Sequence, residues 1–111
     1  MDNGRKILTI SSMKFSFTNK IFKYPGMSAW YFIQVPKDIS QKIIDKYKDK
    51  KIPRRGWGSV RVMVSIGKTS WETSIFPERK SQTYLLPLKK EVRLKEDMQS
   101  EDIIKVSLVL M

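Results

Sequence analysis

Val60, Val62, Val64 and Ile66 alternate with Arg61, Met63 and Ser65. A period of two puts every valine on one side of a pleated strand, whereas a helix would scatter the same residues around its circumference. Gly67-Lys68 turns the chain into Ser70–Phe76, where Trp71, Thr73 and Ile75 oppose Glu72, Ser74 and Phe76, so the two runs read as a hairpin. Met13, Phe15 and Phe17 repeat the alternation and predict a strand over 13–20. After the Pro25-Gly26 turn, Ser28 to Val35 is apolar on both faces and predicts a second strand. Gln82–Leu86, bounded by Pro87, and Ile103–Leu110, following the Ser100-Glu101-Asp102 turn, complete six short strands.

Two stretches change period. Pro36 suits an early helical position and Asp38 a first turn, while Ile39, Ile43, Ile44 and Tyr47 form one stripe with Lys42, Lys46, Lys48 and Lys50 facing elsewhere. A helix over 37–50 follows, its stripe plugging the end of a sheet. A shorter helical segment over 88–95 places Leu88, Val92 and Lys95 on one side and Lys89 with Arg93 on another. Pro53-Arg54-Arg55-Gly56-Trp57-Gly58 breaks both helix and ladder and reads as a loop, and Pro77–Ser81 as a polar connection. These elements predict a mainly β fold, a small closed six-stranded β-barrel with one or two short helices, with an open α+β sheet as the alternative. Residues 13–111 form one domain, and residues 1–12 a flexible arm or short strand.

Composition narrows the chemistry. The chain has 111 residues, suited to one domain, and 41% hydrophobic residues, enough for a core. It has no Cys and no His, which removes the thiol nucleophile, the disulfide, the commonest metal ligand and the usual general base. No phosphate-binding Gly-rich loop or nucleophile elbow is present, and Glu101-Asp102 reads as a turn rather than a cation site. No enzyme activity and no cofactor are therefore expected. No run approaches the roughly 18 apolar residues of a membrane span, and the N-terminus lacks a signal-peptide core, so a cytoplasmic protein without membrane contact is expected.

Net charge is +11, and it is uneven: eight basic residues face three acidic ones over 25–55, whereas 88–111 has five of each. Such a field attracts polyanions. Arg55, Trp57, Trp71, Ser74, Tyr84, Lys89 and Arg93 combine guanidinium forks, a point charge, stacking faces and hydroxyls, the parts of an anion pocket. The competing structural reading makes Trp71 core and pairs Arg93 with an acidic neighbour such as Glu96.

The string Arg55-Gly-Trp-Gly-Ser-Val-Arg-Val-Met-Val-Ser-Ile-Gly, then Trp71 to Pro77, Tyr84-Leu85-Leu86-Pro87-Leu88-Lys89 and Val92-Arg93, with Trp30 to Pro36 upstream, resembles the bacterial domain family of unknown function DUF1905. The resemblance spans about 13–110. It implies a small closed β-barrel and no assigned reaction, and its polar motif positions fall on the same seven residues. Some relatives carry a further bacteriocin-protection-like segment that this sequence lacks, so such a role is not expected. Where relatives usually have Gly-Asp before the last strand, this chain has Glu101-Asp102, which predicts a strained or rebuilt turn. The function expected is a non-enzymatic module binding a small anionic ligand. The alternatives are nucleic-acid binding by the basic 37–55 surface and a protein–protein interaction domain.

Overall fold

The computed structural model describes residues 13–24, 26, 30–48 and 58–111. Within them lie six strands, β1 (Lys14–Lys23), β2 (Tyr31–Gln34), β3 (Val60–Ile66), β4 (Thr69–Glu78), β5 (Thr83–Pro87) and β6 (Ile103–Leu110), and two helices, α1 (Lys37–Lys48) and α2 (Lys90–Lys95). The strands close a barrel in the order β1-β2-β5-β4-β3-β6, every neighbouring pair antiparallel. The expected closed six-stranded barrel is the observed fold, and the open sheet is not.

Two long strands make closure possible by changing partner midway. β1 pairs with β6 from Lys14 to Lys20 and with β2 from Ile21 to Lys23. β4 likewise pairs with β3 from Thr69 to Ile75 and with β5 from Phe76 to Glu78. The wall is thus two sheets sharing two strands. The expected strand ends at 20 and 76 fall near these partner changes, and both strands continue past them. Pro77, expected in a connection, sits inside β4 opposite Tyr84.

The alternation read from the sequence gives the burial. Val60, Val62, Val64 and Ile66 point inward with Phe17, Ile75, Val106 and Leu108, all buried. Each such side chain contributes about 1.5–3 kcal/mol relative to exposure. Ile39 and Ile43 of α1 close one part of this core, with Ile44 and Tyr47 packed alongside. Leu88, Val92 and Met98 bring the α2 segment onto it, whereas Lys95, expected on that side, is exposed.

The polar Ser40 is fully buried on α1. Its hydroxyl donates to the Val35 carbonyl at 3.1 Å and accepts the Tyr84 amide N–H at 3.1 Å, while the Val35 N–H reaches the Tyr84 carbonyl at 2.9 Å. The hydroxyl therefore carries the β2–β5 ladder onward into the helix, satisfying a backbone donor that burial would otherwise orphan.

Among the described residues, three polar ones have left-handed backbone: Gln82, Asp97 and Glu101. Asp97 (φ 53°) ends α2 in a Schellman arrangement, with the Met98 N–H on the Arg93 carbonyl at 2.8 Å and the Asp97 N–H on the Leu94 carbonyl at 3.3 Å. Glu101 has φ 77°, the strained turn expected from its departure from the family's glycine. Its N–H bonds the Ile21 carbonyl at 2.8 Å, and the Asp102 carboxylate accepts the Gln99 N–H at 2.8 Å. Glu101 and Asp102 build the expected turn. The Glu101 side chain reaches Lys20 at 3.4 Å, with both groups largely exposed, so the pair adds little. Glu101→Gly is expected to raise stability by about 0.5–1 kcal/mol, because relief of left-handed strain outweighs the added freedom of the unfolded chain. A denaturant titration measures it, and a lower midpoint in the variant would show that the side chain stabilises the turn.

Candidate functional site

The β2–β5 register sets the site. Phe32 faces Pro87 across the ladder, and the Leu88 N–H bonds the Tyr31 carbonyl at 2.9 Å, which holds the start of the α2 segment beside the start of β2. Between them lies a groove of about 340 Å³ lined by Trp30, Tyr31, Pro87, Leu88, Lys89, Lys90 and Arg93. Three of these residues are cationic and none is acidic.

Arg93 is fixed on two sides. Its guanidinium carbon stands 3.8 Å from the Tyr31 ring centroid, and its Nε donates to the Leu88 carbonyl at 3.1 Å. A guanidinium laid on an aromatic face with one N–H spent keeps its terminal nitrogens for an anion, and its rotamer is set before any ligand arrives. The expected structural alternative paired Arg93 with Glu96. Glu96 instead turns to the β3–β4 turn, accepting the Thr69 hydroxyl at 2.6 Å and the Lys68 N–H at 3.2 Å. Gly67 there has φ 57°, and a Cβ on it would run into the Glu96 carboxylate, so glycine serves both the turn and the close approach.

Of the seven residues singled out in the sequence, the structure brings Lys89 and Arg93 together in the groove. Tyr84 is 1% exposed, inside the barrel. Ser74 accepts a 3.3 Å bond from Arg61 on the outer face of β3 and β4, where Arg61 also meets Glu72 at 3.5 Å. Trp71 packs against the core with its indole N–H buried and without a hydrogen-bond partner among the described residues. Arg55 and Trp57, with Arg54, lie outside the described residues.

Sequence reasoning missed Trp30, Tyr31 and Lys90 as groove residues. It also missed an aromatic cluster on the outer face of β1 and β2, where Trp30 stacks on Phe32 (5.9 Å, 25°) and Phe32 meets Phe22 at 6.1 Å and Tyr24 at 5.5 Å. The signal was present in the phase of the strands: Phe22 and Tyr24 alternate with the inward Ile21, and Trp30 and Phe32 with the inward Ile33. Beyond Phe22 and Tyr24 a second hollow of about 510 Å³ is lined by Lys23, Gln34, Glu78, Lys80 and Leu85 as well.

Among the described residues no three His, Cys, Asp or Glu side chains gather as a metal site, and no helix is long and apolar enough to cross a membrane. Residues 17–108 match the family model for a domain of unknown function, DUF1905. A comparison with curated proteins found no match.

Proposed function

The chain belongs to the DUF1905 family, whose description names no activity, and from its own groove we propose a binding module that holds an anionic ligand between Lys89, Lys90 and Arg93 without transforming it. The observation that carries this reading is the groove's charge: three cations and no carboxylate, around an arginine already stacked on Tyr31. Such a site contributes charge-assisted hydrogen bonds without a large reorganisation of Arg93. Binding rather than catalysis fits a chain without His or Cys, in which the groove offers no carboxylate base. The described part of α1 carries Asp38 and Asp45 among Lys37, Lys42, Lys46 and Lys48, so its cations are partly offset, unlike those lining the groove.

Pyrophosphate is a suitable probe, followed by amide and indole NMR shifts. Saturable shifts are expected at Trp30 and across Lys89 to Arg93. The Lys89→Ala/Lys90→Ala double variant should weaken binding about ten-fold or more, and Arg93→Ala should abolish it while lowering the melting temperature by several degrees only. Shifts confined to other surfaces, or unchanged affinity in both variants, would overturn the reading.

A further inference from the structure

The groove opens onto an aromatic floor as well as a cationic wall. Trp30 lines it and is 50% exposed, although its ring is already stacked against Phe32. One face of the indole is thus held by the protein, leaving half of a large apolar side chain open to solvent. Phe32 itself is only 8% exposed, so it braces Trp30 rather than competing for the ligand. A simple anion such as phosphate makes no use of a braced, open indole. A ligand with negative charge and a flat π system uses both halves of the groove.

We infer that this surface binds single-stranded nucleic acid, with phosphates against Lys89, Lys90 and Arg93 and an unpaired base stacked on Trp30. The inference rests on the anion reading above and names the ligand class for the same site. The volume of about 340 Å³ falls within the range of small-ligand pockets. Stacking selects the unpaired strand, since a duplex hides its base faces inside the stack, and every base has a π face, so the preference is for single strands rather than for a sequence.

A strand, rather than a free nucleotide, fits the ground on the far side of the aromatic ridge. There the second hollow is edged by Phe22 and Tyr24, with Lys23 and Lys80 at its margin. Its carboxylate, Glu78, accepts the Ser81 hydroxyl at 2.6 Å and the Tyr24 hydroxyl at 3.4 Å. That charge disfavours phosphate directly beside it, so the sugar–phosphate backbone follows the cationic groove while a neighbouring base reaches across the ridge.

The test is fluorescence anisotropy with the full chain and a labelled twelve-residue oligothymidylate, beside an abasic strand of equal charge and a duplex of equal length. The single strand is expected to bind at least ten-fold more tightly than either, and to weaken with rising salt. Trp30→Ala should remove about ten-fold of that affinity, Trp30→Phe should restore most of it, and thermal melts should show both variants folded. Lys89→Ala/Lys90→Ala should weaken normal and abasic strands equally. Abasic or duplex DNA binding as tightly, or Trp30→Ala without effect, would overturn the stacking inference, as would thymidine monophosphate competing at concentrations equal to the strand's. Oligonucleotides that fail to bind while pyrophosphate still shifts Trp30 and Arg93 would overturn it and leave the anion reading standing. Failure of both probes would remove both.

Discussion

Tyr84→Ala is expected to lower the free energy of unfolding by about 3–5 kcal/mol, the cost typical of emptying a large aromatic from a core. Tyr84 is the largest fully buried side chain described, on the β5 strand that both β2 and β4 pair with. Removing it empties core space on the strand that joins two seams of the barrel, beneath the helix α1 that packs on it. Domains of this size are commonly stable by about 5–15 kcal/mol, so the variant sits near the threshold of folding. A urea titration followed by tryptophan fluorescence measures the effect, with the midpoint falling at unchanged slope. A loss below about 1 kcal/mol would mean that the barrel interior is loosely packed at β5, contrary to the burial described.

Ser40→Ala is expected to cost about 1–3 kcal/mol, although it deletes a single oxygen. The hydroxyl is the partner of the Tyr84 N–H and sits where water has no access, so its loss leaves a buried donor unsatisfied. Alanine's better helix propensity offsets a few tenths of a kcal/mol. Amide hydrogen exchange makes the prediction specific: protection of Tyr84 should fall by more than that of Leu86, whose ladder position opposite Ile33 is untouched. Equal loss at both amides would show a general weakening of the barrel. No loss at either would show that another group takes over the donor.

The two predictions concern residues that the sequence rendered very differently. Tyr84 was legible as strand material and also as a candidate ligand partner, because a short strand buried on both faces shows no alternation to say which side chains enter the core. Ser40 gave no signal. It is one serine on an otherwise amphipathic helix, and only the meeting of α1 with β5, 44 residues further on, gives its hydroxyl two partners.

The same locality explains the rest. β3 and β6 were predicted with their observed limits, β3 because its alternation runs from the glycine-rich loop to the Gly67-Lys68 turn and β6 because it follows directly on the Ser100-Glu101-Asp102 turn. β1 and β4 were cut short because a strand that changes partner carries no local mark of doing so. Lys89 and Arg93 share a helical spacing and were paired correctly. Trp30 and Tyr31, more than fifty residues earlier, reach them only through the β2–β5 register, which no periodicity encodes.

The pairing of β1 with β6 bears on how the barrel comes to exist. Ser16 and Ser107, 91 residues apart, face each other across this seam with hydroxyls 3.4 Å apart. The seam unites the earliest and latest strands described, so the entropy of closing a loop of nearly the whole domain must be spent before its contacts form. The β3–β4 hairpin, joined by Gly67-Lys68, has no such cost and is the natural nucleus. During synthesis the β1–β6 seam waits for β6, and until then the wall retains open strand edges that can pair with other chains. Conditions that slow the last step should therefore affect yield and aggregation more than the stability of the finished protein.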